Sequence, residues 1–273
     1  MTQNQNEDLG KHARQAADAL FDARESRVAV PPVSETFGVA DPDTAYRVQE
    51  ANTVRWLGAG RRLVGRKIGL TSKAVQQQLG VDEPDYGMLW DDSAHESGAE
   101  VSIANFLQPR VEAEIAFEMS ADLNSPDVTL ADVGRAIGFA MSAVEIVDSA
   151  VADWKITLAD TIADNASGGG FVLGTERKRL DEIDTRLCGM VLAINGETKS
   201  LGVGAACLGD PLNAVLWLAR KMAEVGRPLA KGDVVLSGAL GPMVDVVGGD
   251  RVDVEIAGFE PIHLSFGNEG TKS

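Results

Sequence analysis

The sequence has few cysteines and histidines and no long apolar runs, and each shortage excludes a class of protein. Cys188 and Cys207 form no CxxC pair, so the sequence does not indicate a disulfide framework. So few cysteines fit a protein of a reducing compartment. His12, His95 and His263 are scattered and no GxSxG motif occurs, so a serine-hydrolase triad has no visible members. No run approaches the roughly 18 apolar residues of a spanning helix, so we expect a cytoplasmic protein without membrane contact.

Positive charge is also scarce. The formal net charge is −16 and the pI is about 4.6, which would repel phosphate backbones and anionic membrane surfaces. Nucleic acid is therefore excluded as an expected partner. An acidic protein that handles an anionic substrate needs a local positive element, either a bound cation or a few well-placed basic side chains.

The N-terminal part of the chain has helical patterns. Residues 7–25 place apolar side chains at helical spacing, which predicts an amphipathic helix. A second helix is predicted to begin with Asp41 as its N-cap and Pro42 in its first turn, and to end at the glycines of 58–60.

From about residue 61, short β-branched runs alternate with Gly, Asp and Asn, which predicts a strand-rich core. The dipeptide Asn195-Gly196 fits a two-residue hairpin turn. One further helix is predicted within these strands, capped by Asp210 and closed by Gly226. The predicted fold class is α+β, with a helical region over 1–72 and a β-rich core over 73–273.

The segment QPRVEAEIAFEM contains two neighbouring acidic residues, Glu112 and Glu114. On a strand they share one face, and the apolar residues of 111–117 share the other. Their backbones would lie roughly 7 Å apart, so both side chains can reach one ion. A sheet with one solvated face explains the same alternation.

Glu145 lies in the apolar run IGFAMSAVEIVDSAV, where an unpaired buried charge would be costly. Three carboxylates on strands, without a histidine or cysteine cluster, are the hard oxygen ligands that suit Mg²⁺ or Mn²⁺. The alternative is that Glu145 pairs with an arginine or ends its strand at the surface.

Two further segments carry polar candidates. In GRKIGLTS, Lys67 stands between apolar neighbours, where it could anchor a substrate carboxylate or act as an acid/base, although most lysines are merely solvated. In DTIADNASGGG, Asp164, Asn165 and Ser167 have the composition of a loop that presents polar groups, and equally that of an ordinary turn.

Several segments, in order and with matching spacing from about residue 40 to 267, resemble the 2-keto-4-pentenoate hydratase family of the fumarylacetoacetase-like superfamily. They are GRKIGLTSKAVQQQLGVDEPDYGML, LQPRVEAEIAFEM, VEIVDSAVADWKITLADTIADNASGG, CLGDPLNAVLWLARKMAEVG and LSGALGPMVDVVGGD. The segment WDDSAHESGAE at 90–100 departs from the family pattern, at a place that bears on the rim of the pocket and the chain length of the substrate.

The resemblance implies a fold and a metal site. The expected fold is a mixed β-roll core behind an N-terminal helical region, assembled as a homo-oligomer. The expected cofactor is a divalent ion, Mg²⁺ or Mn²⁺, held by Glu112, Glu114 and Glu145.

The resemblance also implies a reaction. Lys67 and Asp85 would transfer protons or position water, and Asp164, Asn165 and Ser167 would line the substrate pocket. The substrate would be 2-hydroxypenta-2,4-dienoate. A proton moves to C5, water adds at C4 and a proton is collected at C3, which gives 4-hydroxy-2-oxopentanoate in the meta-cleavage catabolism of aromatic or steroid compounds.

Other activities stay open. A 4-oxalocrotonate decarboxylase would share the fold, the carboxylates and an enolate intermediate, although the EPDYGML segment with Asp85 reads more like the hydratase. A hydrolytic C–C bond cleaver is disfavoured because no histidine is placed to activate water. A non-catalytic partner subunit is disfavoured because the expected metal ligands are intact. A complex with a decarboxylase or a downstream aldolase is a further expectation.

Overall fold

The computed structural model describes residues 10–73, 76–77 and 81–268. The predicted start of the first helix, at residue 7, lies outside these residues. Within them, no helix combines the length and the apolar character needed to cross a membrane.

The described chain begins with helices α1 (Lys11–Ser26), α2 (Val33–Phe37) and α3 (Pro42–Gly58). The apolar stripe of α1 is buried and packs in one cluster with residues of α3, as its helical spacing predicts. Asp41 caps α3, since its Oδ1 accepts a hydrogen bond from the backbone N–H of Thr44 at 2.8 Å. Pro42 stands at the start of the helix, as predicted.

Most of the strands form one curled, mixed sheet. Its members are β1 (Leu63–Gly69), β2 (Asp85–Trp90), β3 (Ala94–Glu96), β5 (Pro109–Met119), β6 (Ile137–Asp148), β7 (Gly168–Leu173), β10 (Val234–Leu236) and β11 (Val244–Asp245). The order is β2-β1-β10-β5-β6-β7-β3, and β11 pairs with β5. The sheet must be curled, because β2 also contacts β7, which lies five positions away in this order.

A second, five-stranded sheet has the order β4-β13-β12-β8-β9. Its strands are β4 (Ala99–Ser102), β8 (Gly189–Ile194), β9 (Glu197–Val203), β12 (Arg251–Ile256) and β13 (Ile262–Gly267). The predicted hairpin is confirmed: Asn195 and Gly196 join β8 to β9 with φ values of 53° and 80°. Both residues tolerate this left-handed conformation.

Three further helices lie wholly within the described residues: α4 (Leu130–Ala136), α5 (Leu158–Ala163) and α6 (Pro211–Glu224). Single turns of 3-10 helix occur at Asp91–Ser93, Ile103–Asn105, Ala152–Trp154, Asn165–Ser167, Leu180–Glu182 and Gly204–Ala206. The capping prediction for α6 is confirmed, since Asp210 Oδ1 accepts from the N–H of Leu212 at 2.9 Å and Gly226 follows the helix with φ 74°.

The hydrophobic interior reflects this organisation. The largest cluster joins both sheets and α6, whereas a separate cluster joins the N-terminal helices to α5 and to Ala150 and Val151. The predicted α+β class, with a β-roll core behind N-terminal helices, is confirmed. The proposed division at residue 72 stays a prediction. Strand β1 lies on its helical side but pairs with β2 and β10 of the curled sheet.

Candidate metal centre and active site

The inner face of the curled sheet is divided into an apolar half and an acidic half. On β5, Ala116 belongs to the apolar half, and the alternation of the strand places Glu114 and Glu112 next along the same face. The apolar half consists of Leu89, Ala116, Met141, Ala143, Phe171 and Leu236. A solvated sheet face is therefore the wrong interpretation of the alternating glutamates: Glu114 is 0% exposed and Glu112 is half-buried.

The pairing of β5 with β6 brings the third glutamate to the other two. Glu112 stands directly opposite Glu145 in the register, and ligand oxygens of Glu112, Glu114 and Glu145 all lie within 4.8 Å of one another. Like charges directly opposite each other destabilise a sheet. A cation between the oxygens would attract both carboxylates and outweigh their repulsion.

The carboxylate oxygens that lack a hydrogen-bond donor are suitable ligands for a hard cation. Glu114 Oε2 accepts a hydrogen bond from the N–H of Gly238 at 2.7 Å. Glu114 Oε1 and Glu145 Oε2 are buried, and no donor among the described residues reaches them. A buried carboxylate oxygen without a partner is costly, and coordination of a divalent ion by oxygen ligands would satisfy both atoms.

Lys67 lies beside this cluster on β1 and is 2% exposed, so the solvated-lysine alternative is wrong. Its Nζ donates a hydrogen bond to the carbonyl oxygen of Ala166 at 2.7 Å and lies 3.0 Å from Glu145 Oε1. Burial by itself would lower the pKa of Lys67, but the nearby Glu145 and Asp85 outweigh it and raise the pKa above its ordinary value. Lys67 therefore remains an ammonium ion in the metal-free protein. Glu145 is buried and its basic neighbour is Lys67. The two alternatives for Glu145, an arginine partner and a surface position, are therefore wrong.

Asp85 is the first residue of β2 and is 1% exposed. Thr161 Oγ1 donates to its Oδ2 over a long 3.4 Å, and no donor among the described residues reaches its Oδ1. Burial raises the pKa of Asp85, against the opposing effect of Lys67. Gly69 faces Asp85 across the strand pair. A Cβ at Gly69 would lie 2.1 Å from Asp85 Oδ1, so only glycine leaves room for this carboxylate.

The turn after α5 presents the remaining predicted residues. Ser167 Oγ lies 3.3 Å from Thr161 Oγ1, which joins it to the Asp85 carboxylate. Asn165 instead binds backbone: its Oδ1 accepts from the N–H of Met88 at 2.7 Å and its Nδ2 donates to the Met88 carbonyl at 3.0 Å. The side chain of Asn165 therefore holds β2 in place.

Asp164 takes part in an ion network that joins α1 to both glutamate-bearing strands. Arg24 Nη2 lies 2.8 Å from Asp164 Oδ1 and Arg24 Nη1 lies 2.9 Å from Asp148 Oδ2. Asp148, at the end of β6, also accepts from the N–H groups of Leu107 and Gln108, which precede β5. Burial raises the pKa of Asp164 to about 6, although Arg24 opposes the shift.

A cavity of about 320 Å³ leads to Glu145. The glycines of 168–170 form part of its wall, and Trp56 and Arg61 also line it. Residues of the segment 90–100, which departs from the expected family pattern, also line it, among them Trp90 and His95. This segment therefore shapes the pocket, as the sequence suggested.

Sequence reasoning missed several residues of this site. Arg24 and Thr161 gave no signal, because their roles arise from contacts more than 70 residues away along the chain. Asp148 did carry one: like Glu145, it is a carboxylate within the apolar run that forms β6.

Comparison with known proteins agrees with this geometry. Residues 53–265 match the model of the fumarylacetoacetate (FAA) hydrolase C-terminal family. The chain is 59% identical to the TodF product hydratase of Pseudomonas putida, over 93% of this chain and 94% of that protein. It is 51% identical to 2-keto-4-pentenoate hydratase 1 of Dechloromonas aromatica, over 92% and 95% of the two chains.

A solved structure is also similar. It is 4-oxalocrotonate decarboxylase from Pseudomonas putida G7 in complex with magnesium and adipate, with a TM-score of 0.90 and 34% identity over 93% of this chain and 97% of that one. From its acidic strand pair, its curled sheet and these relatives, the chain belongs to the FAA hydrolase C-terminal family and, within it, to the 2-keto-4-pentenoate hydratases.

Proposed function

We propose that this chain is a metal-dependent hydro-lyase that converts 2-hydroxypenta-2,4-dienoate into 4-hydroxy-2-oxopentanoate. The observation that carries the proposal is the approach of Lys67 to within 3.0 Å of Glu145, inside a cluster of glutamates that fits a cation. The hydratase names of relatives 45 to 59% identical support the same reaction.

The proposed metal ligands are Glu112, Glu114 and Glu145, and the proposed ion is Mg²⁺ or Mn²⁺, because all the ligands are hard carboxylate oxygens. When bound, the ion would supply Lewis acidity toward the carboxylate and 2-oxygen of the substrate and stabilise enolate charge. Magnesium in the related decarboxylase structure supports this assignment.

Lys67 and Asp85 would take different parts in the reaction: Lys67 stabilises negative charge and Asp85 carries a proton. Lys67, held as an ammonium by its carboxylate neighbours, offers positive charge and a hydrogen bond to the developing enolate oxygen. Asp85, whose pKa is raised by burial and whose Oδ1 has no donor among the described residues, can hold a proton and exchange it with the substrate. The proton lost from the 2-hydroxyl is balanced by one gained at C5. Water then contributes its hydroxyl to C4 and a proton to C3.

The pocket residues take different parts in this proposal. Ser167 would contact substrate or water; the contact of its hydroxyl with Thr161, which in turn bonds to Asp85, supports this role. Asp164 and Asn165, which were also expected to bind substrate, direct their side chains to Arg24 and to the backbone of Met88. We therefore assign them to holding the wall of the pocket.

The second candidate is a 4-oxalocrotonate decarboxylase, which the similarity to the solved decarboxylase supports. A non-catalytic partner subunit is less well supported, because the glutamate cluster, Lys67 and Asp85 are all present. We also propose a homo-oligomer that associates with a decarboxylase or aldolase acting before or after it. The identity of one structural relative as a decarboxylase is consistent with such a complex.

One experiment separates the two enzymes. The purified protein with Mg²⁺ is given 2-hydroxypenta-2,4-dienoate and, separately, 2-oxo-3-hexenedioate, while product and released CO₂ are measured. We expect rapid formation of 4-hydroxy-2-oxopentanoate and no CO₂. Evolution of CO₂ from the six-carbon diacid, without hydration of the five-carbon substrate, would assign the chain to the decarboxylases.

A further inference from the structure

Strand β2 carries Asp85 and lies at one end of the curled sheet, so its outer edge has no strand partner within the described part of the chain. In an antiparallel pair, alternate residues direct their N–H and C=O groups away from the partner strand. On β2, side-chain amides bind three of these groups: Gln49 donates to the carbonyl of Tyr86, and Asn165 bonds to both the N–H and the carbonyl of Met88.

Gln49 reaches this edge from α3 and is 2% exposed. Its Nε2 donates to two carbonyl oxygens, that of Tyr86 at 2.8 Å and that of Ile162 at 2.9 Å. Each carbonyl belongs to the residue that follows a member of the Asp85–Thr161 pair. One amide group therefore fixes the separation of the two backbones that carry this pair.

The Asp85 side chain depends on this backbone control. Among the described residues its only hydrogen-bond donor is Thr161, at 3.4 Å. That bond is too long to position a carboxylate firmly. Tyr46, also on α3, adds to the control by stacking on the ring of Tyr86, with centroids 4.4 Å apart.

We propose that Gln49 is a positioning residue, which holds Asp85 and Thr161 in register for proton transfer without touching the substrate or the metal. The inference rests on the proposed function. It gives the N-terminal helices a part in the chemistry, although Gln49 lies outside the residues 53–265 that match the family model.

Gln49→Met tests the proposal, because it keeps the volume and removes the donor. We expect kcat for 2-hydroxypenta-2,4-dienoate to fall by about tenfold or more, since a displacement of about 1 Å at a reacting group can cost about 100-fold in rate. The affinity for Mg²⁺, measured by calorimetry on the purified protein, should stay within about threefold, because the glutamates lie on β5 and β6 and not on β2.

Asn52→Leu is the matched control. Asn52 lies one turn further along α3, is 3% exposed and donates to the carbonyl of Ala17 at 2.9 Å, which joins α3 to α1 and not to the site. We expect a similar loss of thermal stability with kcat within about twofold of wild type.

Each outcome of these measurements decides for or against the positioning role of Gln49. An unchanged kcat in Gln49→Met, or equal losses of kcat in Gln49→Met and Asn52→Leu at equal thermal stability, would overturn the positioning role. If Gln49→Met does not fold, Gln49→Asn, which keeps the amide but withdraws it by one methylene, carries the same expectation. Failure of both to fold would make Gln49 a residue of stability alone. A wild type that binds Mg²⁺ but does not hydrate the substrate would overturn the proposed function, and this inference with it.

Discussion

Glu112 and Glu145 face each other across neighbouring strands, which is an unfavourable arrangement for two side chains of the same charge. Burial and the proximity of Glu145 together raise the pKa of Glu112 to about 7. The fold therefore holds Glu112, Glu114 and Glu145 close together in spite of their repulsion, in an arrangement that a divalent ion would stabilise.

Replacing one ligand should remove the ion while leaving the fold intact. In Glu112→Gln, affinity for Mg²⁺ should fall by about 100-fold or more, because a neutral amide replaces a charged oxygen at the proposed ligand position. Calorimetry on the purified protein measures this directly. Glu118→Gln, on the same strand but paired with Arg177 near the surface, is the control and should bind Mg²⁺ like wild type.

The raised pKa of Glu112 also predicts how metal binding depends on pH. Below about pH 7 a proton increasingly occupies Glu112, so Mg²⁺ affinity should fall, by up to about tenfold per pH unit, as the pH is lowered further. The unfolding free energy measured without added metal should depend on pH in the opposite direction. Between the ordinary pKa of 4.5 and the raised value of about 7, the folded state binds more protons than the unfolded state, so stability falls as pH rises.

Calorimetric titrations in several buffers would measure the protons released on Mg²⁺ binding. Proton release near zero at pH 6 would contradict the assignment of Glu112 as a ligand.

At the residue scale, the sequence indicated the acidic cluster but not its supports. The alternation around Glu112 and Glu114 and the apolar setting of Glu145 were visible in single segments. The supports of Asp85 were not, because Thr161 reaches its carboxylate and Gln49 reaches the neighbouring Tyr86 carbonyl only through long-range folding. No local pattern distinguishes a buried glutamine that spans two backbones from one that faces solvent.

Among the elements, α1, β5 and β6 are joined at one point by Arg24. Its guanidinium bonds to Asp148 and Asp164, and Asp148 also binds the backbone that leads into β5. The side chains of these three residues are 12%, 1% and 3% exposed, so the network is dry and its charges depend on each other.

Removal of Arg24 should therefore be costly. Arg24→Met leaves two buried carboxylates without their cation, which typically costs about 3 to 5 kcal/mol of unfolding free energy. Urea denaturation measures the change. Arg55→Met, which breaks the more exposed ion pair with Asp18, should change stability by less than about 1 kcal/mol. Equal effects of the two substitutions would contradict the dry-network description.

Local elements were predictable where a few neighbouring residues decide them. Asp41 with Pro42 set the start of α3, and Asn195-Gly196 set the β8–β9 turn, since caps and tight turns depend on adjacent backbone groups. Sheet order was not predictable in this way. The parallel pairing of β1 with β10 joins residues about 170 positions apart, and only the family resemblance anticipated such a roll.

On the scale of the whole molecule, a divalent ion should act as part of the folded state. Because the unfolded chain would not gather the glutamates, Mg²⁺ at about 100 times its dissociation constant should add about 2.7 kcal/mol of stability. For a chain of this size that corresponds to a rise in Tm of about 5 °C.

Thermal melts with and without MgCl₂, at ionic strength matched with NaCl, measure this rise. The Glu112→Gln protein should show almost none of it. An equal rise in Tm with NaCl alone would mean that the salt acts by screening charge and that specific Mg²⁺ binding does not cause the rise.

The bonds that Gln49 and Asn165 make to β2 have a consequence beyond catalysis. An unpaired strand at the end of a sheet is a template onto which a strand from another molecule can add. Here the carbonyl of Tyr86 and both backbone polar groups of Met88 are occupied by the side chains of Gln49 and Asn165. The same amides that set the active-site backbone thus also protect the molecule against edge-to-edge aggregation.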